Sequence, residues 1–133
     1  GGTHLLFKET LPSLGIGVNS VNPANVEEIE KYLSEGAKLV YIETPANPTL
    51  QIFDIVKIAR LTHHYNALLM VDNTFATPYY QRPLQLEADC VVHSATKYIG
   101  GHGDTIAGVI LGEKDFIDRA RNVINRDIGA AIS

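Results

Sequence analysis

The chain reads as an α/β domain with a mostly parallel sheet and helices on both faces. Three observations predict it. Apolar runs alternate with stretches of helical periodicity over much of the sequence, the pattern of strands joined by crossover helices. The run Lys38-Leu39-Val40-Tyr41-Ile42-Glu43 is mostly apolar, as a strand buried on both faces is. The length of 133 residues, 45% hydrophobic and 20% charged, suffices for one domain with a real core.

Taken in order, Thr3 to Leu11 reads as a short helix with Leu5, Leu6 and Leu11 as core positions, ended by Pro12-Ser13. Gly15 to Val21 is expected to form a short strand. Asn25 caps the next helix, Val26 to Ser34, with Glu28 three residues on as in a capping box. Val26, Ile29 and Leu33 share one face, and Gly36 ends the helix. The strand Lys38 to Glu43 leads into Thr44–Thr49, a turn because its two prolines forbid continued pairing. Phe53 to Tyr65 is an amphipathic helix through Ile55, Val56, Ala59 and Leu61. Strands follow at Leu68 to Asp72, Asp89 to Ser94 and Thr105 to Leu111, and Lys114 to Asn125 closes as a helix. Its Phe116, Ile117, Ala120 and Ile124 fall at helical spacing. No crossover helix separates the last two strands, so the final one is expected to run antiparallel. Both ends are expected to be cut from something longer.

Composition narrows the function. A net charge of −4 with no run of like charges argues against a nucleic-acid surface. The single cysteine, Cys90, excludes an internal disulfide and reads as a small buried hydrophobe. No apolar run approaches the ~20 residues of a membrane helix. The first residues lack the marks of a signal peptide. A cytoplasmic protein is the expectation.

Chemistry concentrates at the carboxyl ends of the strands, where open α/β sheets bind ligands. Three ends carry polar residues: Glu43 to Asn47, Asp72 to Thr74, and Ser94 to Lys97. Singly, each has a plain reading, since polar residues resume at strand ends and most lysines are solvated. Together they offer a carboxylate, an amine, an amide and hydroxyls. A carboxylate at one strand end and a lysine at the next are two fixed points that a pyridoxal 5'-phosphate (PLP) enzyme needs. Lys97 would form a Schiff base with the cofactor aldehyde, which requires partial desolvation. Asp72 would keep the pyridine nitrogen protonated. Ser94 and Thr96 could hold a phosphate, Asn47 the phenolate oxygen, and Thr74 adds a hydroxyl beside Asp72.

Rival sites are weaker. Gly100-Gly101-His102-Gly103 does not fit the phosphate-loop pattern. His63-His64 reads as a solvated helix end; His93, His102 and Asp104 suggest a zinc site whose convergence spacing does not reveal, and no metal is expected.

Three motifs carry a family resemblance: Glu43-Thr44-Pro45-Ala46-Asn47-Pro48-Thr49, Val71-Asp72-Asn73-Thr74-Phe75-Ala76-Thr77-Pro78, and Ser94-Ala95-Thr96-Lys97-Tyr98 with Gly101-His102-Gly103-Asp104. Over nearly all 133 residues the chain resembles the Cys/Met-metabolism PLP enzymes, also called the transsulfuration or cystathionine γ-synthase-like family. The resemblance implies a type I aminotransferase-like fold, with residues 1–133 forming part of the large PLP-binding domain. It implies the same site: Lys97 as the Schiff-base lysine, Asp72 at the ring nitrogen, Ser94 and Thr96 at the phosphate, Asn47 and Thr74 as further cofactor contacts. It also implies a small sulfur-containing amino-acid substrate and a homo-oligomer, tetrameric in the family. The family's ring-stacking tyrosine precedes a step like Gly1-Gly2-Thr3, so the chain is expected to begin just after it. The upstream glycine loop, the neighbouring subunit's tyrosine and arginine, and the carboxylate-binding arginine of the C-terminal domain have no counterpart here. Arg82 is a weak candidate substrate clamp within the chain.

The reaction stays open. Thr105-Ile106-Ala107-Gly108 and Asn125-Arg126-Asp127-Ile128-Gly129 are similar to γ-lyases, whereas Gly2 stands where methionine γ-lyases often carry cysteine. γ-Elimination of methionine or cystathionine is placed ahead of γ-replacement on an activated homoserine. A catalytically inactive α/β fragment with a binding or structural role is the alternative of another class.

Overall fold

The computed structural model describes residues 2–127 and 129. Its centre is a four-stranded sheet in the order β1 (Leu39–Glu43), β2 (Leu68–Asp72), β3 (Cys90–Ser94) and β4 (Gly108–Gly112). β1 and β2 run parallel with Leu39 opposite Leu68 and Glu43 opposite Asp72. β2 and β3 run parallel with Asp72 opposite Val92. β4 returns antiparallel, Ser94 opposite Gly108, as the missing crossover helix predicts. Its ladder begins three residues later than expected from Thr105.

Alternation along the strands sorts the side chains. Ile42, Leu69, Val71 and Val91 take one face and Tyr41, Met70 and Cys90 the other, by register. The first face meets Ile29 and Leu33 of α3 (Val26–Ser34) and Ile55, Ile58 and Ala59 of α4 (Ile55–His64), completing the core with Ala67 and Ala88. Leu69, Val71 and Ala59 are wholly buried. Cys90 is buried as expected, and burial pushes its thiol up to about 11.

The helix starts follow their caps. Asn25 accepts from the Glu28 N–H at 3.3 Å, while the Glu28 carboxylate takes the Asn22 N–H rather than that of Asn25. α4 starts at Ile55, two residues after the expected Phe53, because Asp54 accepts from the Lys57 N–H at 3.0 Å. The Phe53 N–H turns away to the Thr44 hydroxyl oxygen.

The N-terminal helix departs from expectation. It runs as α1 (Gly2–Leu5), a wider π-helical stretch (Leu6–Thr10) and α2 (Leu11–Ser13). Pro12 does not end it, because it falls in the first turn of α2, where its missing N–H is tolerated. Leu5 and Leu6 are exposed rather than core; Phe7 meets the sheet instead, edge-on to Tyr41 with ring centroids 4.8 Å apart. Gly15–Val21 forms no strand. It pairs with no strand among the described residues, and a cavity of about 550 Å³ lies between residues 16–21 and the edge of β1.

β2 connects to β3 through α5 (Thr77–Tyr80) and a 3₁₀ turn (Pro83–Leu86). After β4, α6 (Lys114–Arg119) passes into a π-helical stretch (Ala120–Asn125), in which Ile124 is exposed rather than packed. Among the described residues no helix is long and apolar enough to cross a membrane.

Leu69 is the most telling core position. Leu69→Ala should lower stability by about 2–5 kcal/mol through lost transfer energy and a cavity, read as a lower urea midpoint with an unchanged m-value. Cys90 should react with a thiol reagent at pH 8 only slowly until denaturant is added, its native rate rising as pH approaches about 11.

Candidate functional site

The parallel strands end side by side, and the alternation that builds the core continues one step past it. On the helix-covered face stands a buried polar row: Thr44, Asn73 and His93. On the other face stand Glu43, Asp72 and Ser94, all half-buried.

Asp72 is the most constrained of these. Its Oδ1 accepts from the Thr74 N–H at 3.0 Å and the Thr74 hydroxyl at 2.6 Å. Its Oδ2 accepts from the Tyr41 hydroxyl at 2.9 Å. Thr74 Oγ1 in turn accepts the Ser94 N–H at 2.8 Å. One chain of hydrogen bonds therefore joins β1, β2 and β3 at their carboxyl ends. Burial, and then the Asp72 charge, hold the Tyr41 phenol protonated well above the usual tyrosine range. Burial also pushes the Glu43 carboxyl up, opposed by an N–H from Asn47 and reinforced by Asp72.

Beneath this row the amides of buried Asn73 and partly buried Gln81 form a clamp. Asn73 Nδ2 donates to the carbonyls of Thr77 and Gln81, at 3.2 and 2.8 Å. Gln81 Nε2 donates to Asn73 Oδ1 at 2.9 Å and to the Thr44 carbonyl at 2.8 Å. The loop after Asp72 is thus tied to the end of β1.

Ser94 ends β3, and the chain turns at once: the Lys97 N–H donates to the Ser94 carbonyl at 3.1 Å. The Gly100 and Gly101 N–H groups donate to the carbonyls of Ala95 and Lys97. A Cβ at Gly100 would lie 2.8 Å from the Ala95 oxygen, and Gly101 has φ +77°. These glycines shape the lysine turn. Lys97 is exposed, so the desolvation expected for it is not supplied by the described residues. Thr96 differs from expectation too: its hydroxyl donates to the Ala107 carbonyl at 3.2 Å and accepts the Ala107 N–H at 2.9 Å. Its one proton is engaged with backbone, whereas no hydrogen bond engages the Ser94 hydroxyl among the described residues.

Asn47 is exposed on the Thr44–Thr49 loop and reaches the site through its backbone, toward Glu43. Arg82 is exposed and donates to the Pro78 carbonyl at 3.2 Å, a local contact. The structure thus brings Asp72, Thr74 and Ser94 into one network, sets Thr96 and Lys97 on the next turn, and leaves Asn47 on the rim. Sequence reasoning missed Tyr41, Asn73 and Gln81. Parity with Asp72 across the β1–β2 register would have found Tyr41; no signal pointed to Gln81.

A carboxylate, an exposed amine and an uncommitted hydroxyl at adjacent strand ends fit the PLP donor set inferred from the motifs. Among the described residues no three His, Cys, Asp or Glu side chains gather as metal ligands.

The comparisons point to the same cofactor. The family model described as "Cys/Met metabolism PLP-dependent enzyme" matches residues 1–133. An L-methionine gamma-lyase of Fusobacterium nucleatum subsp. polymorphum is 45% identical over 133 residues, covering 99% of this chain and 34% of that protein. A cystathionine beta-lyase of Lactococcus lactis subsp. cremoris is 42% identical over 132 residues, covering 99% of this chain and 35% of that one. The solved cystathionine gamma-lyase of Lactobacillus plantarum, in complex with L-serine, superposes with a TM-score of 0.89 at 37% identity. That match covers 96% of this chain and 34% of the other. The chain spans about a third of the length of these relatives.

His93 gives this site a pH dependence of its own. Burial pulls its pKa down, against the Asp72 charge, and Nδ1 is buried without a hydrogen-bond partner among the described residues. The folded chain holds it neutral, so stability is full above the unfolded histidine value of ~6.5 and falls as pH drops through and below it. His93→Gln should flatten that acidic fall in a series of denaturation midpoints from pH 8 to pH 5; parallel curves would contradict the assignment.

Proposed function

From its membership of the Cys/Met metabolism PLP-dependent enzyme family, to which the chain belongs by a match along its whole length, we propose that it forms part of the cofactor-binding domain of a carbon–sulfur lyase. The reaction proposed is γ-elimination from L-methionine or L-cystathionine. The observation that carries this reading is the Asp72 carboxylate, fixed by three donors at the end of β2, with the lysine turn on the next strand. The γ direction rests on the likeness to the methionine gamma-lyase. The likeness to the cystathionine beta-lyase makes β-elimination the reading to test against it.

Bound PLP supplies an aldehyde for condensation with amines and a ring that accepts electrons from the substrate. Lys97 Nζ would hold it covalently. Asp72 would hold a proton on the ring nitrogen through a charge-assisted hydrogen bond. The Ser94 hydroxyl is the available donor to a phosphate; Thr96 joins it only by turning its hydroxyl from Ala107. Thr74 orients Asp72, and Asn47 contributes from the rim. The substrate is a small sulfur-containing amino acid, and the enzyme is a cytoplasmic homo-oligomer in this reading.

Incubating the full-length parent enzyme with PLP and L-cystathionine separates the reactions. γ-Elimination releases 2-oxobutanoate, ammonia and cysteine; pyruvate and homocysteine would instead report β-elimination. Lys97→Ala should abolish the absorption band of bound cofactor. Asp72→Asn should slow turnover by about two to three orders of magnitude, the scale of one lost electrostatic partner of developing charge. Unchanged turnover in Asp72→Asn would remove Asp72 from this role.

A further inference from the structure

Tyr41 stands on β1, outside the motifs that mark the site. Its hydroxyl nevertheless donates to Asp72 Oδ2 at 2.9 Å, the only hydrogen bond to that oxygen from a neighbouring strand among the described residues. Thr74 takes the other oxygen. A carboxylate gripped on one oxygen can still rotate about its Cβ–Cγ bond; gripped on both, by Tyr41 from β1 and by Thr74 from the turn after β2, it cannot. The Tyr41 ring is itself held edge-on against Phe7.

Phenylalanine would make the same contact with Phe7 without bringing a hydroxyl into a half-buried site. The hydroxyl is therefore accounted for by the carboxylate it meets, since burying a polar group is unfavourable unless it is hydrogen-bonded. The charged and titratable groups around Asp72 are Tyr41 and Glu43 from β1 and His93 from β3. Glu43 opposes a second negative charge and His93 is held neutral by burial. Hydrogen bonds from Tyr41 and Thr74 are what hold the carboxylate in place.

We propose that Tyr41 is a positioning residue, fixing the rotation of Asp72 for its contact with the ring nitrogen of the cofactor. This rests on the assignment of Asp72 made above. Tyr41 acts through Asp72, so removing its hydroxyl has consequences only while the carboxylate is there.

The test is a double-mutant cycle in the full-length enzyme with Tyr41→Phe, Asp72→Asn and the pair. The readouts are PLP affinity of the apoenzyme, the bound-cofactor absorption spectrum, and kcat against KM. Tyr41→Phe should weaken PLP binding by about tenfold, the scale of one hydrogen bond to a charged group. The bound-cofactor spectrum should change, and kcat should fall with little change in KM. In the Asp72→Asn background the same change should alter none of these. Wild-type affinity and spectrum in Tyr41→Phe, beside an impaired Asp72→Asn, overturn the role of Tyr41 alone. An equal effect in both backgrounds also overturns it, in favour of a packing role. An Asp72→Asn enzyme that matches wild type overturns the Asp72 assignment and this one with it.

Discussion

The hydrogen-bond chain from the Ser94 N–H through the Thr74 hydroxyl to Asp72 is the constraint on which the site depends. A hydroxyl that accepts from one strand and donates to a carboxylate on another has no rotational choice left. Thr74 therefore converts the spacing of two strands into the orientation of one side chain. The short 2.6 Å contact is of the charge-assisted kind, stronger than a bond between neutral partners. Tyr41 completes the arrangement from the third strand.

The same sheet meets two different demands at its carboxyl end. Its helix-covered face must bury polar groups, and Asn73 and Gln81 answer by satisfying each other and the nearby carbonyls. Its other face keeps Asp72 and Ser94 partly accessible. The rigidity of the buried row steadies the accessible one, because consecutive residues on one strand serve both. Asn73 and Asp72 are neighbours in sequence, and neither can shift without the other.

Much of this was legible in the sequence for physical reasons. β2 and β3 lie between two strands, so their apolar runs are long and end abruptly, and the polar residues that follow mark the site. Helix caps were readable because one side chain determines each start, as at Asn25. Apolar content gives Gly15–Val21 strand propensity but not a ladder partner, and none pairs with it among the described residues. Thr96 was read for its hydroxyl, and its engagement with Ala107 depends on how β4 returns, which spacing does not encode. Tyr41 was passed over as a strand residue. Its role depends on register, and register is a relation between strands rather than a property of one.

The pairing of Thr96 with Ala107 has a consequence for how the chain tolerates change in length. Three hydrogen bonds there, two through the Thr96 hydroxyl and one from its N–H, close the connection between β3 and β4 like a clasp. Gly100 and Gly101 complete the lysine turn inside it. Residues 102–106 lie between that turn and the clasp as an exposed or half-exposed loop tip. Insertions or deletions there would be absorbed by the loop. A single residue added between Lys97 and Gly100 would break the turn itself and displace the amine from the strand end that holds it.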